Sequence, residues 1–414
     1  MITEMGDMVG GLKGHLINFI VRRIRKMIPP YNIPGAIPLM HALKEGGKIE
    51  FIPIQIKSSD IAFLQYTGGT TGISMGATLT HANIIANMLQ VREYMKPRFI
   101  EGDEVAITAL PLYHIFALTV NFLCMFLLGA KNILITNPRD IDNFIKELKK
   151  YPFTFISGVN TLFNAMLNNP RFKEVNFSRL RVSVGGGMAV QQSVAERWKQ
   201  LTNVPLVEGY GLSETSPVLS CNPIDGTEKV GTIGIPLPET DLKIIDDDGN
   251  DLPMGKPGEI CAKGPQVMKG YWNRDSDTRN VFIEGGWIKT GDIGFLQEDG
   301  FFKIIDRKKD MILVSGFNVY PNEVEDVIMQ LEGVLEVAAI GVPDDYSSEV
   351  VKVFIVPKSE SPTKQDVLQF CKKNLAGYKI PKYVEFVKEL PKTNVGKILR
   401  RKLRELELTN INTG

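Results

Sequence analysis

Four cysteines occur in 414 residues, at positions 124, 221, 261 and 371, and no two are closer than 40 residues. Without a CxxC or any close pair, the spacing offers neither a disulfide framework nor a zinc site built on paired ligands. The four histidines, His15, His41, His81 and His114, form no close pair either. Cys124, Cys221, Cys261 and Cys371 therefore read as reduced core residues of a cytoplasmic protein. An excess of one charge is also missing: 48 basic residues face 47 acidic ones. A nucleic-acid partner is disfavoured, because no surplus of Lys and Arg exists to displace phosphate counterions. Residues 1–11 lack the charged segment and apolar run of a secretory leader. One long stretch, between Glu104 and Lys131, has no charged residue. Pro111, Tyr113, His114, Thr119 and Asn121 interrupt it, so it predicts a strand at Val105–Leu110 and a buried helix at Ile115–Leu128, not a membrane span. Tandem repeats and low-complexity segments are absent. Composition and length are those of an ordinary globular chain of two or three domains, with oligomeric state left open.

What is present begins with a helical pattern. Leu16, Ile17, Phe19, Ile20, Val21, Ile24, Met27 and Ile28 recur at a period near 3.6 and stop at Pro29-Pro30. Lys13, Arg22, Arg23, Arg25 and Lys26 carry the charge, with no acid among them. Such a helix suits peripheral contact with an anionic membrane, and equally a domain-packing role with a solvated basic side. From about 130 to 210, strand-like runs (Asn132–Thr136, Thr154–Ser157, Leu180–Val184) alternate with helical patterns (Asp140–Lys150, Thr161–Leu167, Val190–Leu201), the signature of βαβ units on a parallel sheet. Between about 219 and 306, dense turn signals separate short strands such as Leu242–Ile245 and Glu259–Ala262, predicting an antiparallel β subdomain. The remainder restarts an α+β pattern: helix Asn322–Leu331, strands Val337–Val342 and Val350–Val356, helix Thr363–Leu375. The fold class is thus α/β. It comprises a mixed or parallel-sheet body with helices, a small antiparallel β subdomain and a small α+β C-terminal domain.

Four motifs carry chemistry. Tyr66–Gly76 (YTGGTTGISMG) follows the strand Ile61–Leu64 and precedes the helix Ala82–Gln90. Its glycines let backbone N–H groups approach phosphate oxygens, and its threonines add hydroxyls; an ordinary turn would use the same residues. It matches neither GxxxxGK[ST] nor GxGxxG, which disfavours a dinucleotide-dependent dehydrogenase. In Gly209–Thr215 (GYGLSET), Tyr210 offers a stacking face and Glu214 a hard oxygen for Mg²⁺. Upstream, Gly185-Gly186-Gly187 ends a strand at the edge where open α/β sheets bind ligands. Asp292 in TGD and Arg307 in DRKKD suit ribose hydroxyls and phosphate, although a charge run at a strand end is also commonly just solvated. Lys397 follows a glycine in a turn (PKTNVGKILRR), where an ammonium can meet developing negative charge.

Taken in order, YTGGTTG, PLYHIFALT, GYGLSET, GWIKTGDIG, DRKKDMILVSGFNVYPNEVED and LPKTNVGKILRR resemble the adenylate-forming superfamily of acyl-CoA synthetases. The likeness is strongest to bacterial long-chain fatty-acid–CoA ligases, from about residue 10 to 405. The resemblance implies a two-step reaction: fatty acid and ATP give an acyl-adenylate, from which CoA displaces AMP. It assigns ATP phosphates to Tyr66, Thr67, Gly68, Gly69, Thr70, Thr71, Gly72 and Gly76, and Mg²⁺ to Thr67 and Glu214. It gives adenine to Gly185, Gly186, Gly187, Tyr210 and Gly211, and ribose to Asp292 and Arg307. Lys397, Glu214 and His114 are the catalytic set, His114 near the carboxylate, and Ile115–Leu128 helps line an acyl tunnel. Residues 1–306 become the adenylation body and 307–414 a mobile domain that turns at Lys308–Lys309 and presents Val314–Tyr320, with Gly316 and Phe317, for thioester formation. Two departures stand out. Met75 occupies a position where the family pattern has Lys. A lost charged hydrogen bond of about 1.5–3 kcal/mol is expected to slow adenylation roughly 10–100-fold. The match also starts in mid-domain, so about 100–150 residues of the family pattern are expected to be missing, with weakened activity. A binding remnant without turnover, or a ligase for another carboxylic acid, are the competing readings.

Overall fold

A computed structural model describes residues 1–67, 74–358, 361–393 and 396–413, the last six of these by backbone alone. The chain divides into two compact units, Met1–Lys57 and Ser58–Gly414.

In the first unit a helix over Gly11–Phe19 continues as a wider π-helical segment, Ile20–Ile24, and ends before Pro29 as the sequence predicts. Gly6 and Gly14 touch backbone to backbone: a Cβ on Gly6 would lie 2.1 Å from the Gly14 carbonyl oxygen, so neither tolerates a side chain. Much of the apolar face stays in solvent, with Leu12 90% and Ile24 64% exposed. Among the basic side chains, Arg22 pairs with Glu4, from outside the helix.

The second unit is built on a seven-stranded sheet in the order Lys131–Leu134, Val105–Thr108, Phe155–Gly158, Val182–Gly186, Leu206–Gly211, Val218–Cys221, Ile235–Pro236. The first five strands run parallel. The inner strands Val105–Thr108, Phe155–Gly158 and Val182–Gly186 are buried almost throughout and mostly apolar, as the middle of a parallel sheet requires, whereas the edge strand Lys131–Leu134 is only partly covered. Trp198 is fully buried, donates from Nε1 to Ser183 Oγ at 3.1 Å, and meets the Phe163 ring edge-on at 4.8 Å. The uncharged stretch forms the strand Val105–Thr108 and a buried helical run through Ala117–Cys124. Among the described residues no helix is long and apolar enough to cross a membrane.

The antiparallel sheet comprises Asp241–Ile245, Gly258–Lys263, Trp287–Leu296, Phe282–Ile283 and Phe302–Arg307. The sequence begins this β-rich part at about 219. Val218–Cys221 and Ile235–Pro236 instead pair antiparallel onto the end of the seven-stranded sheet. Strand signals are local, whereas the sheet that a strand joins depends on which edge lies open beside it. A third sheet, around the long hairpin Val334–Asp344 and Ser348–Pro357, carries the helices Pro321–Met329, Lys364–Asn374 and Arg400–Thr413. All four cysteines are buried and unpaired.

Candidate functional site

Parallel strands leave their C-terminal ends facing one side, and there Gly185–Gly187 follows Val182–Val184 with Gly185 and Gly186 in register with Glu208 and Gly209. Added side chains would collide. A Cβ on Gly185 would sit 2.3 Å from Val190 Cγ2, and one on Gly186 2.9 Å from the Phe116 ring. On Gly187, whose φ is +77°, it would meet Lys397 Cε at 3.0 Å and Nζ at 3.4 Å. Lys397, distant in sequence, therefore lies directly on the glycine triplet.

Tyr210 stands on the neighbouring strand. Its hydroxyl donates to Asp292 Oδ2 at 2.7 Å, and Arg307 Nε lies 3.2 Å from Asp292 Oδ1. Asp292 and Arg307 face each other across adjacent antiparallel strands, which fixes the pair by register. Asp292 is only 3% exposed, and burial together with its charge holds the Tyr210 hydroxyl well above the ordinary phenol range. The trio thus offers an aromatic face, a buried carboxylate and a guanidinium.

A tight turn presents Lys397. Thr393 N–H donates to the Lys397 carbonyl at 2.8 Å, Lys397 N–H donates to Thr393 Oγ1 at 3.1 Å, and Leu399 N–H donates to the Pro391 carbonyl at 2.8 Å. Burial, then the Arg307 charge, pushes the ammonium down to about 8, with Asp292 opposing. His114 is pushed down to about 4 by burial and then by Lys397. It is a neutral imidazole at neutral pH, and because Phe116 N–H donates to its Nδ1 at 3.3 Å, its proton sits on Nε2.

Glu214 lies in the turn Ser213–Thr215, which packs against the strands Ile61–Thr67 and Met75–Thr80. The Tyr271 hydroxyl donates to Glu214 Oε1 at 2.8 Å and orients the carboxylate. Thr67 ends its strand with its hydroxyl donating to the Met75 carbonyl at 3.4 Å. Gly76 pairs with Tyr66 across the hairpin, and the ring lies so close that a Cβ would meet it at 3.2 Å. Met75 packs against the apolar cluster of Ala77 and Leu79. Gly68, Gly69, Thr70, Thr71 and Gly72 lie outside the described residues. No cluster of three or more His, Cys, Asp or Glu suited to a metal occurs among the described residues. Thr67 and Glu214 nevertheless supply one hydroxyl and one carboxylate, the sparse hard-oxygen set with which Mg²⁺ is held beside substrate phosphates.

Gly316 and Phe317 are placed elsewhere. They form the tip of a hairpin, Ile312–Val314 to Phe317–Val319, where Phe317 stacks on Tyr378 at 4.8 Å. Beside the glycine triplet opens an apolar cavity lined by Val91, Tyr94, Phe116, Val184, Tyr210 and Cys221. Phe116 and Val120, from the uncharged stretch, lie on its wall. Val159 and Thr161, which lie against Gly396 next to Lys397 in the chain, have no motif of their own; their one signal is their place just after a strand at the same sheet edge.

Residues 35–272 match the AMP-binding enzyme family and residues 323–397 the AMP-binding enzyme C-terminal domain. A long-chain-fatty-acid–CoA ligase of Escherichia coli O6:H1 is 55% identical over 405 residues, covering 98% of this chain and 72% of that protein. Among solved structures, ATP-bound MatB from Rhodopseudomonas palustris superposes with a TM-score of 0.80 at 34% identity, covering 86% of this chain and 70% of the other. The o-succinylbenzoate CoA synthetase of Bacillus subtilis, in complex with its acyl-adenylate intermediate, gives 0.77 at 29% identity, covering 90% and 75%.

Proposed function

Because the chain belongs to the AMP-binding enzyme family, we propose that it is a long-chain fatty-acid–CoA ligase working through an acyl-adenylate. The observation that carries this reading is Lys397 seated on Gly187, beside the linked Tyr210, Asp292 and Arg307.

In the first half-reaction the fatty-acid carboxylate attacks the α-phosphorus of ATP and the bond to pyrophosphate breaks. Tyr210 and the glycine triplet take the adenine between an aromatic face and bare backbone. Asp292 accepts from ribose hydroxyls while Arg307 holds it in place. Lys397 donates to the oxygens on which charge builds, and the low-polarity seat strengthens that contact. His114, neutral with its proton on Nε2, donates toward the carboxylate without adding charge. Thr67 and Glu214 would hold Mg²⁺, which supplies neutralisation of phosphate charge when bound. In the second half-reaction the CoA thiol attacks the acyl carbonyl and expels AMP. For it, residues 307–414 turn about Lys308–Lys309, Lys397 leaves, and the hairpin of Gly316 and Phe317 takes its place. Lys308, which donates to Asp247 at 2.7 Å and Glu259 at 3.2 Å, secures the first arrangement. The cavity beside Tyr210 receives the acyl chain. The basic N-terminal helix gives the enzyme a peripheral contact with anionic membrane at the cytoplasmic face, where its substrate partitions.

The test is acyl-CoA formation from a series of fatty acids of increasing length, with Lys397→Ala alongside. Long chains are the expected substrates. Lys397→Ala is expected to lower fatty-acid-dependent ATP–pyrophosphate exchange about 10²–10³-fold, the cost of one preorganised donor. Exchange unaffected by that substitution would overturn the assignment.

A further inference from the structure

We propose that Thr161 is the positioning residue that seats the Lys397 turn for adenylation, an inference that rests on the ligase reading above. The strand Phe155–Gly158 delivers the chain to the sheet edge, and the helix Asn160–Leu167 starts there at once. Its start is tied to the loop after the glycine triplet: Gln191 N–H donates to Asn160 Oδ1 at 3.0 Å, and Asn160 Nδ2 donates to Gln191 Oε1 at 2.9 Å. From this anchored first turn Thr161 Oγ1 donates to the Gly396 carbonyl at 3.1 Å, one residue before the lysine.

The surroundings leave the turn little freedom. Gly396 has φ +84°, and a Cβ there would meet Thr161 Oγ1 at 3.1 Å and Val159 Cγ2 at 3.4 Å. Val159 also reaches within 3.8 Å of a Cβ placed on Gly187, so Val159 lies beside both glycines near Lys397. Three residues on from Thr161, a spacing that shares a helix face, Asn164 Nδ2 donates to the Leu335 carbonyl at 3.1 Å. Arg139 Nη2 donates to the Thr393 carbonyl at 3.3 Å. Each bond runs from a side chain of residues 1–306 to a main-chain carbonyl of residues 307–414. Of the three, Thr161 bonds the residue next to Lys397 in the chain. A neutral hydroxyl on a carbonyl fixes position yet releases without separating charges, which suits a contact made in one half-reaction and broken in the other. It touches no reacting atom; it acts through the turn, and small displacements of a catalytic group are costly in rate.

The experiment compares Thr161→Val and Thr161→Ser with the unaltered chain. Thr161→Val is expected to lower fatty-acid-dependent ATP–pyrophosphate exchange about 3–10-fold, the value of one neutral hydrogen bond, in kcat with KM for ATP unchanged. CoA-thioester formation from supplied acyl-adenylate should hold, and Thr161→Ser should restore exchange. Hydrogen exchange of the peptide 391–399 should quicken in Thr161→Val alone, with sheet peptides unchanged. Exchange activity unaltered in Thr161→Val, an equal fall in both half-reactions, or unaltered protection of 391–399 would each overturn the proposal. If the unaltered chain activates no fatty acid, the ligase reading fails, and the hydrogen-exchange comparison still decides whether Thr161 holds the turn.

Discussion

An ammonium at Lys397 is disfavoured where it lies, because the seat strips water from it and Arg307 repels it. Its ordinary value of 10.5 falls to about 8, so the cation is complete below that pH and is lost as pH rises through it. The pH profile of ATP–pyrophosphate exchange is therefore expected to show a descending limb centred near 8. Lys397→Arg, whose guanidinium does not titrate there, should remove the limb even if the rate drops. His114, pushed down to about 4, contributes no ionisation near 6.5. A limb at 6.5 with none near 8 would contradict this account. At this scale the sequence announces individual residues through their motifs. Beyond their place after a strand it says nothing of Val159 and Thr161, because a threonine beginning a helix looks the same whether or not a turn more than two hundred positions away is bonded to it.

Elements form where local pattern and burial agree. Asp140 caps the helix Ile141–Leu148 by accepting from Asn143 N–H at 3.1 Å, and Thr363 caps Lys364–Asn374 through a reciprocal box with Asp366. Both helices are legible from sequence to within a few residues. So are the βαβ strands, whose apolar runs have no other use. Two features were not legible: the partner sheet of Val218–Cys221, which is nonlocal, and the π-helical widening at Ala117–Cys124, for which no residue gives a signal. The helix Gln192–Thr202 owes its place to Trp198, packed among Phe163, Phe172 and Phe177 with its N–H satisfied by Ser183. Trp198→Ala leaves a large void and an unpaired hydroxyl. It is expected to lower stability by about 3–5 kcal/mol, read by denaturant unfolding of the second unit. A loss under 1 kcal/mol would mean the cluster collapses into the void.

For the whole chain, a net charge of +1 hides an uneven distribution. In the first unit Leu12, Leu16, Phe19, Ile24 and Met27 are exposed beside Arg23, Arg25 and Lys26. Sedimentation with vesicles is expected to capture the chain on anionic lipid at low salt. Capture should fall as the screening length shrinks from about 10 Å at 0.1 M to about 3 Å at 1 M. Reversing Arg23, Arg25 and Lys26 to Glu should abolish it, while Arg22, already paired with Glu4, matters less. Equal capture by neutral vesicles would assign the binding to apolar contact alone. The buried cysteines bear on how the chain can be assayed. Cys124, Cys221 and Cys261 are pushed up to about 12 and Cys371 to about 11, each chiefly by burial. A thiolate is the reactive form, so at neutral pH a colorimetric thiol reagent would find the sulfur of CoA and none of the protein's. The folded chain is optically silent in such an assay, and any protein signal that emerges with time is a clock for its unfolding.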